Sequence, residues 1–265
     1  MSSLMTSEQP PEYIQPEIFK SYPQLLALQS TRKGGVSKGG CASLNLGNNT
    51  GDAPENIREN TRRLCAALGI DPRNIASSVQ IHGTKILKAE EPGQYEGYDG
   101  FMTNKKDLFL AILTADCYPV LFYDPHHQAV GAAHAGWKGS AHRIVIKTLE
   151  AMHTSFNSNP AECLVSIGTG ISAAAYEVDR EIAGAFPSGC VQRSPRTLDE
   201  ERYLLDLAMV NYLQLLEAGV NPSHIERSPF CSFGDHELFF SYRRDQGKTG
   251  RMISLIGIRS EQQSA

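Results

Sequence analysis

The sequence predicts an α+β fold, or an irregular α/β domain, rather than a doubly wound parallel sheet. Several candidate strands are nearly continuous apolar runs, which is typical of strands that are buried on both faces. Three segments carry apolar residues at helical spacing. Strands and helices follow one another without a regular βαβ alternation, and this irregular order favours mixed sheets within one domain.

Helices are predicted over 53–68, 140–153 and 204–218. Gly69 and Gly219 follow the first and the third, where glycine commonly ends a helix. The stretch 188–196, rich in Pro, Ser and Arg, is predicted to be a surface loop. Strands are predicted over the apolar runs 25–29, 85–88, 109–113, 120–123, 129–134, 164–167 and 253–259.

Composition indicates an ordinary globular chain and excludes some partners. The 265 residues are 41% hydrophobic and 20% charged, which suits one large domain. We expect a mobile tail over 1–15 and a single catalytic domain over 16–260.

A net charge of -4 gives no general attraction to nucleic acid or an anionic membrane. We see no leader peptide or long apolar span, and the six cysteines include no CxxC pair, so we expect a cytoplasmic protein with reduced thiols.

One cysteine between two histidines is the most informative feature. Cys117 lies 35 residues after His82 and 17 residues before His134, so these side chains must converge from separate strand ends and loops. Two imidazoles and one thiolate form a three-ligand zinc site whose fourth position stays open, as in catalytic zinc centres. The alternative is that two satisfied histidines and one buried cysteine are unrelated.

Asp116 supports a functional site here, because it interrupts an otherwise apolar run. A buried carboxylate needs a partner or a task. Asp116 is therefore a candidate catalytic residue, either as a base or as a group that orients a metal ligand. The sequence does not separate these two roles.

Several segments, in order, resemble the multicopper polyphenol oxidase/laccase-like family, whose members are now mostly described as zinc-dependent purine nucleoside phosphorylases. The two most specific are Thr-Ala-Asp-Cys-Tyr-Pro at 114–119 and His-Ala-Gly-Trp-Lys-Gly at 134–139. The stretch 168–175 departs from the family, since it lacks the usual Pro-Cys pair. The other matching segments are 32–37, 43–47, 51–52, 80–83, 239–245 and 250–252.

The resemblance implies a fold, a site and an activity. The fold would be a layered α/β/β/α single domain with mixed sheets, and His82, Cys117 and His134 would be the metal ligands. The activity would be phosphorolysis of inosine, adenosine and methylthioadenosine, with adenosine deamination alongside. Deamination needs a nucleophilic water, and zinc lowers the pKa of bound water to about 7.

Phosphorolysis also needs cations and N–H groups that hold phosphate. Arg32, Ser37 and Arg243 are candidates for that role, and Asn45 is a further polar contact suggested by the resemblance alone. Purine nucleosides and phosphate are therefore the expected ligands. We predict no protein partner.

Three other readings stay open. A copper oxidase would use the same three ligands, since Cu²⁺ binds most such sites more tightly than Zn²⁺, although the sequence has no His-x-His pairs. A cysteine-dependent amidase that edits cell-wall peptidoglycan precursors would use Cys117 as nucleophile and a histidine as base. A zinc-stabilised binding module would need a fourth protein ligand, and none is obvious near the motifs.

Overall fold

The computed structural model describes residues 9–196 and 201–260. Five α-helices are present in these ranges: α1 (Pro54–Leu68), α2 (Trp137–Ala141), α3 (Ile144–Phe156), α4 (Arg180–Ala183) and α5 (Leu207–Glu217). The strands of the same ranges are β1 (Tyr13–Ile14), β2 (Leu25–Ser30), β3 (Ile75–Val79), β4 (Ile86–Lys88), β5 (Gly93–Glu96), β6 (Gly100–Thr103), β7 (Phe109–Thr114), β8 (Tyr118–Asp124), β9 (Ala129–Ala135), β10 (Leu164–Ile167), β11 (Glu177–Asp179), β12 (Val191–Arg193), β13 (Arg202–Leu205), β14 (Ile225–Arg227) and β15 (Met252–Ile258).

Two six-stranded sheets form the body of the domain. The first sheet has the order β1-β2-β15-β7-β3-β5, and the second has the order β14-β10-β8-β9-β6-β4. Both sheets are mixed. In the first sheet, for example, β3 pairs in parallel with β7 and β5, whereas β15 pairs antiparallel with β2 and β7. A small third sheet has the order β11-β13-β12.

The layers follow from side-chain alternation along each strand. In β7, Leu110 and Ile112 belong to a cluster shared with Leu121 and Tyr123 of β8, so these residues lie between the two large sheets. The alternate residue Phe109 packs with leucines of α1 on the outer face of the first sheet. Outward residues of the second sheet pack against α3 and α5. The predicted α+β class and the layered α/β/β/α arrangement are thus confirmed.

Burial on both faces explains the continuous apolar runs. All residues of β8, β9 and β15 are buried, so neither face offers the polar alternation of a half-exposed strand. Helix α1 is different, because it covers the first sheet from one side only. Its buried residues include Ile57, Leu64 and Leu68, and Gly69 ends it with a left-handed φ of 65°, a conformation that glycine adopts without steric cost.

Some predicted elements differ from the structure. The predicted helix 140–153 is wrong as one element, because Arg143 has a φ of 64° and separates α2 from α3. No Pro or Gly marks this break in the sequence. The predicted loop 188–196 contains strand β12, and the short strands of the small sheet were not predicted.

The predicted tail over 1–15 lies partly outside the described residues, which begin at 9. Within them, Tyr13 and Ile14 pair with Ser30 and Gln29 of β2. This short strand belongs to the first sheet, so the sheet begins before residue 16. None of the helices in the described part of the chain is both long and apolar enough to cross a bilayer.

Candidate metal centre

His82, Cys117 and His134 converge at one edge of the two large sheets. His82 follows β3 of the first sheet, Cys117 lies in the turn between β7 and β8, and His134 lies in β9 of the second sheet. One ligand atom from each residue lies within 4.8 Å of the other two. His134 is buried, Cys117 is partly buried and His82 is exposed. The cluster is therefore open to solvent on the His82 side.

Asp99 holds two of the three ligands in place. Its fully buried carboxylate lies 2.8 Å from Nδ1 of His134, which leaves Nε2 of that ring as the ligand atom. The main chain repeats the link, because the His134 N–H donates to the Asp99 carbonyl at 2.7 Å. A carboxylate behind a histidine fixes the tautomer and raises the basicity of the ligand.

The same carboxylate shapes the loop that carries His82. Three successive backbone N–H groups, those of Ile81, His82 and Gly83, donate to the two Asp99 oxygens at 3.2, 2.9 and 2.7 Å. This arrangement is an anion nest, and it includes the left-handed φ of 59° at His82. Such a conformation is uncommon in a residue other than glycine and persists where its surroundings hold it.

Gln80 fixes the start of that loop to the first sheet. Its side-chain amide donates to the Leu113 carbonyl at 2.9 Å and accepts the Leu113 N–H at 2.8 Å. The pair of bonds imitates a backbone bridge beside β7. His82 is therefore positioned from both sides, by Gln80 on the first sheet and by Asp99 before β6 of the second.

The electrostatics of the cluster favour a thiolate. Burial disfavours the thiolate form of Cys117. The charge of His134 and hydrogen bonds from His134 and His82 outweigh burial and lower the pKa of Cys117 to about 6. Burial likewise opposes the charged imidazole of His134, whereas the Cys117 thiolate and Asp99 raise its pKa to about 9. The thiolate of Cys117 and the imidazolium of His134 thus stabilise each other, and we call them the thiolate–imidazolium pair.

These residues fit a transition metal. Thiolate and imidazole are the ligands of zinc and copper sites, and the spacing lets three atoms face one ion. Asp99 supplies the outer contact to the His134 ring that metal-bound histidines usually have. Among the described residues, this is the one group of His, Cys, Asp or Glu side chains close enough together to hold a metal ion.

Gly136 leaves room for the three ligands. A Cβ atom built on it would lie 3.0 Å from the Cys117 Sγ and 3.1 Å from Cδ2 of His82. Its φ of -77° and ψ of 172° are accessible to any residue. The glycine is thus required for space rather than for backbone conformation.

We therefore expect Gly136→Ala to weaken metal binding at this cluster, with Zn²⁺ as the probe, by about tenfold to a hundredfold, the range seen when groups around a metal site are disturbed. Competition with a chromogenic chelator measures the dissociation constant. Gly189→Ala is the matched control, because a Cβ there meets no atom within 4 Å. Equal affinities in the two variants would show that the ligands do not converge as described.

Asp116 lies beside the cluster but is used for anchoring. Its Oδ1 accepts from the Ser232 hydroxyl at 2.7 Å, and its Oδ2 accepts from the Arg243 N–H at 2.6 Å. Its own backbone has a φ of 90°. The carboxylate therefore ties the C-terminal segment to the Cys117 turn. The orienting role that the sequence offered to Asp116 is filled by Asp99, which was not predicted.

Two of the candidate phosphate contacts belong to a buried hydrogen-bond network. Ser37 and Asn45 are buried, and both bond to Oδ2 of Asp52, at 2.5 and 3.0 Å. Asn60 Nδ2 also donates to the Ser37 hydroxyl at 2.8 Å. A direct contact between substrate and Ser37 or Asn45 would require this network to open.

The two predicted arginines also have main-chain partners. Arg32 donates from Nε to the Ala42 carbonyl at 2.8 Å and from Nη1 to the His236 carbonyl at 3.0 Å. Arg243 is exposed, donates to the Glu177 carbonyl at 2.6 Å and lies 5.1 Å from the centre of the Tyr176 ring. Because its N–H binds Asp116, Arg243 is tied to the segment that carries Cys117.

The chain is similar to known proteins over most of its length. A sequence model of the family described as "Multi-copper polyphenol oxidoreductase laccase" matches residues 26–259. Over 230 residues, 41% are identical to "Purine nucleoside phosphorylase" of Deinococcus radiodurans, covering 86% of this chain and 87% of that protein. Over 244 residues, 37% are identical to "Purine nucleoside phosphorylase YfiH" of Escherichia coli, covering 90% and 97%.

Solved structures share the fold. The crystal structure of YlmD from Geobacillus stearothermophilus superposes with a TM-score of 0.86 at 35% sequence identity, covering 94% of this chain and 96% of that one. The crystal structure of the hypothetical protein YfiH of Bacillus licheniformis gives a TM-score of 0.88 at 32% identity, covering 95% and 98%. Both matches therefore cover nearly the whole chain.

Proposed function

This chain belongs to the multi-copper polyphenol oxidoreductase laccase family, and from that premise we propose that it is a zinc-dependent purine nucleoside phosphorylase. The observation that carries the proposal is the convergence of His82, Cys117 and His134 within 4.8 Å. Relatives at 41% and 37% identity bear the name purine nucleoside phosphorylase. The proposed substrates are inosine, adenosine and methylthioadenosine, with phosphate as the second substrate and adenosine deamination as an accompanying activity.

His134 Nε2, the Cys117 thiolate and one nitrogen of His82 would hold the zinc. Bound there, zinc would supply Lewis-acid polarisation and a nucleophilic water for deamination. Asp99 keeps the proton on Nδ1 of His134, so Nε2 presents its lone pair. The Asp116 carboxylate holds Arg243 beside the Cys117 turn. We place the protein in the cytoplasm, an expectation that the six free thiols support.

Phosphorolysis makes and breaks one bond each at the ribose C1′. An oxygen of phosphate forms a bond to C1′, the C1′–N9 bond breaks, and its electron pair leaves with the purine, which takes up a proton. The protein must therefore hold an anion close to the sugar. Arg243 is the predicted phosphate contact that is exposed and tied to the Cys117 segment, whereas Arg32, Ser37 and Asn45 support the neighbouring loops.

A metal-defined product assay tests the proposal. Protein of measured metal content is incubated with inosine or adenosine, with and without phosphate. We expect hypoxanthine or adenine to be released only with phosphate, to be lost after chelation and to return with Zn²⁺. Inosine formed from adenosine without phosphate reports the deaminase activity separately. Absence of nucleoside turnover by the zinc-loaded protein would refute the proposal.

The thiolate–imidazolium pair favours one second candidate, a cysteine-dependent amidase acting on peptidoglycan precursors. A Cys117 pKa of about 6 is the activation that a nucleophilic thiol needs. Chelation separates the two candidates, because a thiol amidase would keep its activity without metal. Copper loading followed by a polyphenol oxidation assay tests the third, laccase-type, candidate on the same three ligands.

A further inference from the structure

Arg251 is a partly buried cation at the sheet edge that carries the metal centre. Met252, the first residue of β15, pairs antiparallel with Thr114, the last residue of β7. Arg251 therefore lies level with Ala115, two residues before Cys117. Burial lowers the pKa of the Arg251 guanidinium, and the charges of Tyr242 and Cys117 offset part of that effect.

The surroundings hold the Arg251 side chain in one position. Its stem packs on Gly47 so closely that a Cβ on that glycine would lie 2.5 Å from Cγ of Arg251. Nη1 donates to the carbonyls of Thr249 and Gly250, both at 2.9 Å. The guanidinium lies 5.5 Å from the centre of the Tyr242 ring, which is itself 54% exposed. Little side-chain freedom remains to be lost when a ligand binds.

In the part of the chain that the structure describes, one edge of this guanidinium has no hydrogen-bond partner. Within residues 9–196 and 201–260, Nε and Nη2 of Arg251 make no hydrogen bond, and no carboxylate forms an ion pair with the group. Arg244 is the contrast, since its Nε and Nη2 bind both oxygens of Asp245. Neither of these two nitrogens belongs to the buried, unpartnered polar atoms of the described residues, so both reach solvent and are accessible to an anion.

We propose that Arg251 is the residue that binds the phosphate substrate, through the fork of its Nε and Nη2 hydrogens. Side-by-side N–H groups match two oxygens of one phosphate. The proposal rests on the phosphorylase function, because it assigns the second substrate to a position beside the metal ligands. In this assignment Arg243, which is exposed and whose backbone N–H binds Asp116, is a secondary contact and Arg251 is the principal one.

The test compares Arg251→Gln with Arg251→Lys in the zinc-loaded full chain. With inosine saturating, we expect Arg251→Gln to raise the KM for inorganic phosphate by about tenfold to a hundredfold, as the loss of hydrogen bonds to a charged group implies. The KM for inosine and the zinc content should change little. Arg251→Lys should restore part of the phosphate affinity. Arg58→Gln on the exposed face of α1 is the matched control.

A direct measurement of phosphate binding tests the Arg251 site independently of the phosphorylase activity. The shift of the melting temperature with inorganic phosphate is measured for the same variants without nucleoside. A shift in the wild type that disappears in Arg251→Gln supports the site even if no nucleoside is cleaved. No phosphate response in the wild type, or a phosphate KM that changes in Arg32→Gln or Arg243→Gln but not in Arg251→Gln, would overturn the proposal.

Discussion

Replacing Cys117 by alanine should reduce phosphate-dependent release of hypoxanthine from inosine by at least about a thousandfold. A metal ion stabilises developing charge by several kcal/mol, and each factor of ten in rate corresponds to about 1.4 kcal/mol. The variant removes the one thiolate and leaves His82 and His134 as a two-ligand site. Initial rates with and without Zn²⁺, together with the zinc content of the purified protein, measure the effect.

Cys65→Ala is the matched control for that variant. Cys65 is buried in α1, and alanine is the most favourable residue in a helix interior, so activity and zinc content should match the wild type. Phosphorolysis that survives in Cys117→Ala would contradict the proposed ligand set. Zinc retained in full, together with lost turnover, would instead indicate that Cys117 acts in the reaction by a route other than holding the metal.

The second large effect is expected for Asp99→Asn. Four donors face this carboxylate: His134 Nδ1 and the N–H groups of Ile81, His82 and Gly83. An amide has one oxygen, so its NH₂ group must face donors that it cannot satisfy. We expect zinc affinity to fall by about a hundredfold, and phosphorolysis at limiting zinc to fall with it.

Excess zinc provides the discriminating measurement for this variant. If Asp99 acts through the ligands it positions, raising the zinc concentration should restore much of the phosphorolysis rate of Asp99→Asn. Asp71→Asn serves as control, because Asp71 caps an exposed turn and asparagine caps equally well. An unchanged zinc affinity in Asp99→Asn would show that Asp99 does not position the metal ligands.

The sequence was enough to identify the three candidate ligands and the buried strands, and the resemblance to the family implied the layers. His82, Cys117 and His134 are rare residue types, each in a distinctive segment, and the buried runs such as β8 and β15 follow directly from apolar composition. The break between α2 and α3 was not predictable from periodicity, because Arg143 adopts a left-handed φ in a segment without Pro or Gly. Strands of three or four residues, as in the small sheet, are too short for a period to be recognised.

The roles of Asp99 and Arg251 were not predicted from the sequence, and the reason is different. Aspartate and arginine are common on surfaces, so neither residue type is distinctive on its own. Their roles depend on long-range contacts, between Asp99 and the loop at 81–83 and between β15 and β7. The one local signal was Asp99 directly before the buried strand β6, since a carboxylate at such a position needs partners. Ser37 and Asn45 were predicted from segments that match the family, and in the structure both side chains bond to Asp52.

The three ligands come from both halves of the sandwich, and this placement has a thermodynamic consequence. A metal ion there would cross-link the edge of one sheet to the edge of the other, and the unfolded chain has no comparable site. Folding and metal binding are then linked equilibria, in which each tenfold rise in free metal above the dissociation constant adds about 1.4 kcal/mol to the free energy of unfolding. The lifetime of the folded chain in a cell would thus depend on the concentration of free metal in that cell.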